Sequence, residues 1–291
     1  MASSTNTTIS NYLSLVKFSH TIFALPFALI GYFLAIHFTH ASFDLQLFVL
    51  VILCMVFARS AAMAFNRYID RNIDKQNQRT AIREIPAGVV KPGSALVFVI
   101  INSVLFVATT YFINPLCFIL SPVALLVVLG YSITKRFTAL CHVVLGVGLS
   151  LAPIGAYLAV AGKFDWLPLF FSFAVLFWVS GFDIIYALQD EEFDRSKRLK
   201  SIPVWLGKKG ALMLSNVFHF ISASFIIYAG YYAHFNAWYW AGATVFAGLL
   251  IYQHTLVKPN DLSKVNIAFF TTNGIASVVF AVFVLIGLFV K

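Results

Sequence analysis

Residues 46–74 read QLFVLVILCMVFARSAAMAFNRYIDRNID, and this stretch decides the fold class. Its first part, 46–65, is apolar for about the 20 residues that a helix needs to cross hydrocarbon. Its end is polar, with helical spacing. Arg59, Asn66, Asp70 and Asp74 are separated by seven, four and four residues, so all four share one stripe of a helix. The expected element is a membrane helix that carries a polar stripe to one face of the bilayer.

Working outward, further apolar runs lie at 20–38, 95–113, 115–131, 139–161, 166–187, 211–233, 237–257 and 266–290. With 46–65 they predict nine spanning helices. The 291 residues are 60% hydrophobic and only 11% charged, whereas soluble domains carry about a quarter charged residues. This composition excludes an ordinary cytosolic enzyme, a disordered chain and a secreted disulfide scaffold. The fold class is all-α integral membrane, read as one domain over 1–291. Cys54, Cys117 and Cys141 show no Cys-x-x-Cys spacing and read as small buried hydrophobes. Met1 to Ser10 has neither the basic stretch nor the cleavage site of a signal peptide, so the first run is expected to be a retained helix. Trp166, Trp238 and Tyr239 suit an interfacial aromatic belt.

Basic residues set the orientation. With the N-terminus inside, 17 of the 20 Lys and Arg, from Lys17 to Lys264, fall in inner segments. Only Lys163 and Lys291 fall outside, and Arg59 is within a span. This positive-inside asymmetry supports an odd number of spans and a cytoplasmic N-terminus. The net charge of +9 is thereby explained as topology, without nucleic-acid binding.

Topology does not explain the acids. Eight of the 11 Asp and Glu lie in two clusters, one with Asp70, Asp74 and Glu84, the other with Asp183, Asp190, Glu191, Glu192 and Asp194. Both are at inner helix ends. Asp183, Asp190 and Asp194 repeat the seven-and-four spacing of the first stripe. Carboxylates near hydrocarbon are costly unless paired, solvated or metal-bound, so something cationic should sit between the clusters. Asp and Asn oxygens suit a hard cation such as Mg2+, which commonly takes one or two carboxylates plus substrate phosphates. Arg67, Arg71, Arg79 and Arg83 surround the first cluster, Arg195, Lys197 and Lys200 the second, and Lys135 and Arg136 lie between. Acids for Mg2+ and bases for phosphate oxygens make a diphosphate site. At the edge of an apolar bundle, the substrate class is a lipid diphosphate. Arg59, the deepest cation, is functional by default. Glu84 is expected to pair with Arg83 or Arg79 at the surface, and His20 and His219 to serve helix packing.

Asn66-Arg67-Tyr68-Ile69-Asp70-Arg71-Asn72-Ile73-Asp74 continues into Arg79-Thr80-Ala81-Ile82-Arg83-Glu84-Ile85-Pro86-Ala87-Gly88. The second motif is Tyr186-Ala187-Leu188-Gln189-Asp190-Glu191-Glu192-Phe193-Asp194, followed by Lys200-Ser201-Ile202-Pro203. With Tyr131-Ser132-x-x-Lys135-Arg136 between them, these resemble the UbiA superfamily of intramembrane prenyltransferases, within it the 4-hydroxybenzoate polyprenyltransferase-like branch. The resemblance implies nine transmembrane helices bundled around a central active-site cavity, with catalytic loops at about 66–94 and 190–210. It implies Mg2+ held by Asn66, Asp70, Asp74, Asp190 and Asp194. It places Arg59, Arg67, Tyr131, Lys135 and Arg136 near the diphosphate, and makes Asp70 and Asp190 the catalytic carboxylates. Asp183, deeper in the membrane, is the candidate to orient the acceptor or take its proton. Lys17-Phe18-Ser19-His20-Thr21 through Pro26 resembles the first helix of relatives linked to quinone biosynthesis. One departure is Arg198, at a place where relatives carry Gly.

The implied reaction is Mg2+-dependent transfer of a polyprenyl group from polyprenyl diphosphate to an aromatic ring, 4-hydroxybenzoate first, in ubiquinone or menaquinone biosynthesis. The implied place is the inner membrane, with the active-site loops cytoplasmic. Another aromatic acceptor is the alternative: a menaquinone-pathway acid such as a futalosine-route precursor, or a haem or chlorophyll precursor. A transporter is the rival outside enzymes. It would place polar residues at the bilayer midplane and break helices in matching halves, and neither pattern is present.

Overall fold

The protein is described by a computed structural model over residues 10–16 and 23–290. Lys17, His20 and Lys291 lie outside the described residues, as does the start of the first expected span. The remaining runs become helices in order: α1 (Leu25–Thr39), α2 (Leu45–Asp74), α3 (Pro92–Tyr111), α4 (Pro115–Thr134), α5 (Cys141–Ala161), α6 (Trp166–Ala187), α7 (Ile202–Tyr232), α8 (Ala237–Leu256) and α9 (Asn273–Phe289). A 3-10 turn (Leu188–Asp190) and a short helix (Glu191–Ser196) extend α6, and a π-helical segment (Ile267–Thr272) leads into α9.

Among the described residues, seven helices are long and apolar enough to cross a membrane: α2 to α5, α6 with its extension, α7, and α9 with its lead-in. Of the nine expected spans, seven meet this measure, and α1 and α8 do not reach it among the described residues. α1 has 15 described residues. α8 has 20 residues, but Trp238, Trp240, Gln253 and His254 dilute its apolar content. The class, a multi-pass helical membrane protein, holds.

α2 positions the site. Asp44 caps it by accepting from the Gln46 and Leu47 amides at 2.8 and 3.2 Å. From Leu45 the helix runs 30 residues without a break. At 1.5 Å per residue, about 20 residues span the ~30 Å of hydrocarbon. The last turns therefore lift Asn66, Asp70 and Asp74 to the bilayer edge.

An aromatic core clamps the other side. Phe27 of α1, Phe171 and Trp178 of α6, Phe246 of α8 and Phe280 of α9 are fully or almost fully buried in one cluster. Its polar atoms are paired: Trp178 Nε1 donates to Asn273 Oδ1 at 2.8 Å, and His219 lies between His254 and the Trp178 carbonyl. His219 is the packing residue expected. Tyr239 is not an interfacial residue. It is fully buried and donates to the Ile226 carbonyl at 2.6 Å, whereas Trp166 and Trp238 are exposed. Gly31 lets α1 lie on α5, because a Cβ there would sit 2.0 Å from the Pro153 carbonyl oxygen.

Candidate active site

Asn66, Arg67, Asp70 and Asp74 stand on the last turns of α2, as their spacing predicts. Asn66 Nδ2 donates to Asp70 Oδ2 at 3.2 Å. The second motif departs from the expected continuous stripe. α6 ends at Ala187, and Asp190 closes the 3-10 turn before the short helix that carries Asp194. The tighter turn re-aims Asp190 relative to an unbroken helix.

All eleven residues expected at the site nevertheless line one cavity of about 990 Å3. One end of it holds the two motifs with Arg67, Tyr131, Lys135 and Arg136. Arg59 and Asp183 lie deeper. The walls beyond are apolar, with Val51, Phe106, Leu120, Val127, Ala152 and Ile154 among them. The three cysteines also line this cavity, and Cys54 and Cys117 are only half-buried, so they are not simple core residues.

The expected cations between the clusters are the protein's own bases. Arg136 Nη2 donates to Asp70 Oδ1 at 2.8 Å and to the Ile69 carbonyl at 3.1 Å. Arg83 Nη1 meets both Asp74 oxygens, at 2.7 and 2.8 Å. Arg79 reaches across from the loop after α2. It pairs with Asp190 and donates to the Tyr186 hydroxyl at 2.8 Å, while Asn77 Nδ2 adds a 2.9 Å bond to Asp190 Oδ1. Lys135 Nζ lies 2.8 Å from Asp194 Oδ1. Backbone staples hold the loops in register, for example Lys200 N–H on the Lys135 carbonyl at 2.8 Å. Burial disfavours the charge on Lys135, but Asp194 outweighs it and lifts the ammonium above the ordinary lysine value. Asp190 does the same for Arg79. Both cations stay charged through the neutral range.

Among the described residues, two buried guanidinium nitrogens have no protein partner, Arg59 Nε and Arg67 Nε. Donors left in a buried place carry a penalty that an anion in the cavity relieves. For a metal, the donor set is all oxygen, which suits a hard cation. Among the described residues, no three of His, Cys, Asp and Glu converge to hold a metal alone. The reason is visible in the pairs above, since each motif aspartate faces a basic side chain. The residues thus fit a cation that brings its own phosphate ligands.

Glu84 is not the surface residue expected. It is buried, lines the cavity and accepts from the Ser14 hydroxyl, because Arg79 and Arg83 are committed to Asp190 and Asp74. Glu191 pairs with Arg195 at 2.9 Å with its side chain only 12% exposed, while its neighbour Glu192 is exposed. Asn77 and His142 were not legible as site residues. Asn77 carries no spacing signal. His142 lies 41 positions from Asp183, the residue it meets at 2.7 Å.

Arg198 takes φ 55, the left-handed region where glycine is at ease. It is exposed, and the turn is closed by the Leu199 amide on the Asp194 carbonyl at 2.9 Å. Arg198→Gly is expected to stabilise the protein by about 0.5 kcal/mol, as strain relief of ~1 kcal/mol is partly offset by added chain freedom. Thermal unfolding in detergent checks this, and a lower Tm contradicts it.

The UbiA prenyltransferase family model matches residues 24–289. A relative from Nitrosomonas europaea, named 4-hydroxybenzoate octaprenyltransferase, is 31% identical over 84% of this chain and 84% of its own. A solved UbiA homologue from Aeropyrum pernix K1 aligns with TM-score 0.83 and 30% identity, covering 92% of this chain and 97% of that one. A UbiA homologue from Archaeoglobus fulgidus, solved with GPP and Mg2+, shares the fold with TM-score 0.74 at 22% identity, over 96% of this chain and 99% of its own. The cavity, the two aspartate motifs facing it and these likenesses agree: the chain is a membrane-spanning enzyme that belongs to the UbiA prenyltransferase family.

Proposed function

We propose that this enzyme moves a polyprenyl group from polyprenyl diphosphate to the ring of an aromatic acid, 4-hydroxybenzoate first, in a Mg2+-dependent step of quinone biosynthesis. The observation that carries the reading is one cavity with two unlike ends. One end of it gathers Asp70, Asp74, Asp190 and Asp194 with Arg67, Lys135 and Arg136, and its walls are apolar. The polar end suits a diphosphate and the apolar walls suit a prenyl tail. The name of the Nitrosomonas relative supports the acceptor class, and the Archaeoglobus complex supports the diphosphate and the metal. The positive-inside count supports a cytoplasmic placement of this end.

Asn66, Asp70, Asp74, Asp190 and Asp194 would hold the metal. Bound there, Mg2+ supplies charge neutralisation for the departing diphosphate. Arg67, Lys135 and Arg136 would donate to the same oxygens, Lys135 and Arg136 leaving Asp194 and Asp70 to the metal, helped by Arg59 and the Tyr131 hydroxyl. These preset donors stabilise charge as it develops. The allylic C–O bond breaks with its electron pair going to the diphosphate, and a ring carbon forms the new C–C bond. Asp183, roughly 10 Å deeper than Asp190 by helical rise, orients the acceptor and takes the proton that the ring gives up.

Product analysis tests the reading. Purified protein in liposomes, given a polyprenyl diphosphate and 4-hydroxybenzoate, is expected to yield the ring-prenylated acid. Product only with a different aromatic acid corrects the acceptor, and no product with any acceptor overturns the proposal.

A further inference from the structure

Asp183 is set apart from the four motif aspartates of the cavity. Each motif aspartate is paired with Lys or Arg. Asp183 instead meets His142, whose Nδ1 lies 2.7 Å from Asp183 Oδ2. His142 is the second residue of α5, with a side chain 4% exposed, while the Asp183 side chain is 23% exposed and lines the cavity.

The fold fixes which imidazole nitrogen holds the proton. The Ile202 amide donates to His142 Nε2 at 3.3 Å. A backbone N–H can only donate, so Nε2 presents its lone pair and Nδ1 carries the proton that Asp183 accepts. The amide belongs to the first residue of α7, so the start of that helix sets the ring. One carboxylate oxygen is thereby anchored, and the side chain is oriented with its remaining acceptor capacity toward the cavity. A carboxylate held by a fixed donor is a preorganised partner for a hydroxyl group.

We propose that His142 is a positioning residue for the acceptor: it holds Asp183 to accept a hydrogen bond from the ring hydroxyl, which makes the enzyme selective for acceptors with a free phenol. The inference rests on the prenyl-transfer reading and adds to it both a residue and a selection rule. A phenol hydrogen-bonded to a carboxylate is a stronger nucleophile at the ring carbon beside its oxygen. A methyl ether at that oxygen leaves the carboxylate without its donor, and unpaired polar groups are what reject such analogues.

The test compares wild type, His142→Ala and His142→Gln with 4-hydroxybenzoate and 4-methoxybenzoate. Thermal stabilisation by each acid is read beside KM and kcat. Wild type is expected to be stabilised by the phenol and at least tenfold less sensitive to the ether, the scale of one lost hydrogen bond to a charged group. His142→Ala is expected to lose that preference and raise the phenol's KM about tenfold while the diphosphate KM stays within about twofold. Gln, with an amide donor, restores part of it. If His142→Ala shifts both KM values together with the phenol preference intact, the histidine is only structural and the inference falls. Equal stabilisation of wild type by both acids also overturns it, while leaving prenyl transfer standing. Phenol-selective stabilisation without any turnover overturns the transfer reading and leaves the His142–Asp183 site in place.

Discussion

Asp190→Ala is expected to lower kcat/KM for prenyl transfer about a thousandfold, or ~4 kcal/mol of transition-state stabilisation. Asp190 is the residue where both halves of the site meet. It sits on the α6 extension, yet its partners Asn77 and Arg79 come from the loop after α2. The substitution removes a metal-binding carboxylate and frees a guanidinium to compete for phosphate oxygens in an unproductive pose. Asp190→Asn separates these effects. The amide keeps one acceptor oxygen for Arg79, so part of the guanidinium's anchoring and of the stability is retained, but it carries no charge for the metal, so the activity loss persists. Steady-state kinetics with both substrates varied makes the comparison. A loss under tenfold in the Ala variant contradicts the assignment.

Lys135→Met is expected to be the most destabilising single change among the ion pairs. Asp194 is fully buried, and Lys135 is its cation at 2.8 Å. Breaking a buried pair costs about 3–5 kcal/mol because the remaining charge is stranded. The Lys135 side chain is about one-third exposed, so water and rearrangement soften this to about 2–3 kcal/mol. The double variant Lys135→Met with Asp194→Asn removes both charges and is expected to regain most of the lost Tm. It is not expected to regain turnover, since each residue also serves the diphosphate or the metal. Thermal unfolding of the four proteins closes the cycle. A loss in the double variant equal to the sum of the two single losses would show that the pair is not coupled.

Legibility from sequence followed the range of the interactions. The α2 stripe was readable because seven-and-four spacing is local helix geometry, and Arg59, Asn66, Asp70 and Asp74 do line one cavity. The α6 stripe was readable in composition but not in shape, because the 3-10 turn at Leu188–Asp190 interrupts it. Contacts made by tertiary packing were not readable. Glu84 sits beside two arginines in sequence, yet it accepts from Ser14, 70 positions away. Tyr239 has the place of a belt residue and the contacts of a core one. His142 had no motif around it, and only the approach of α5 to α6 reveals its partner. Arg198 was readable as an anomaly, and its left-handed backbone shows why a glycine suits that position. The count of spans is open at α1 and α8, the first because its expected start lies outside the described residues and the second because its apolarity is marginal.

The central claim is that the two motifs act on one metal-bound diphosphate in one cavity. Calorimetric titration of geranyl diphosphate into wild type, Asp70→Asn and Asp190→Asn, each with Mg2+ and with a chelator, tests it directly. The account predicts binding by wild type that requires Mg2+ and weakens at least tenfold in either variant, about 1.4 kcal/mol. Equal binding with and without Mg2+, or full binding by either variant, would contradict it.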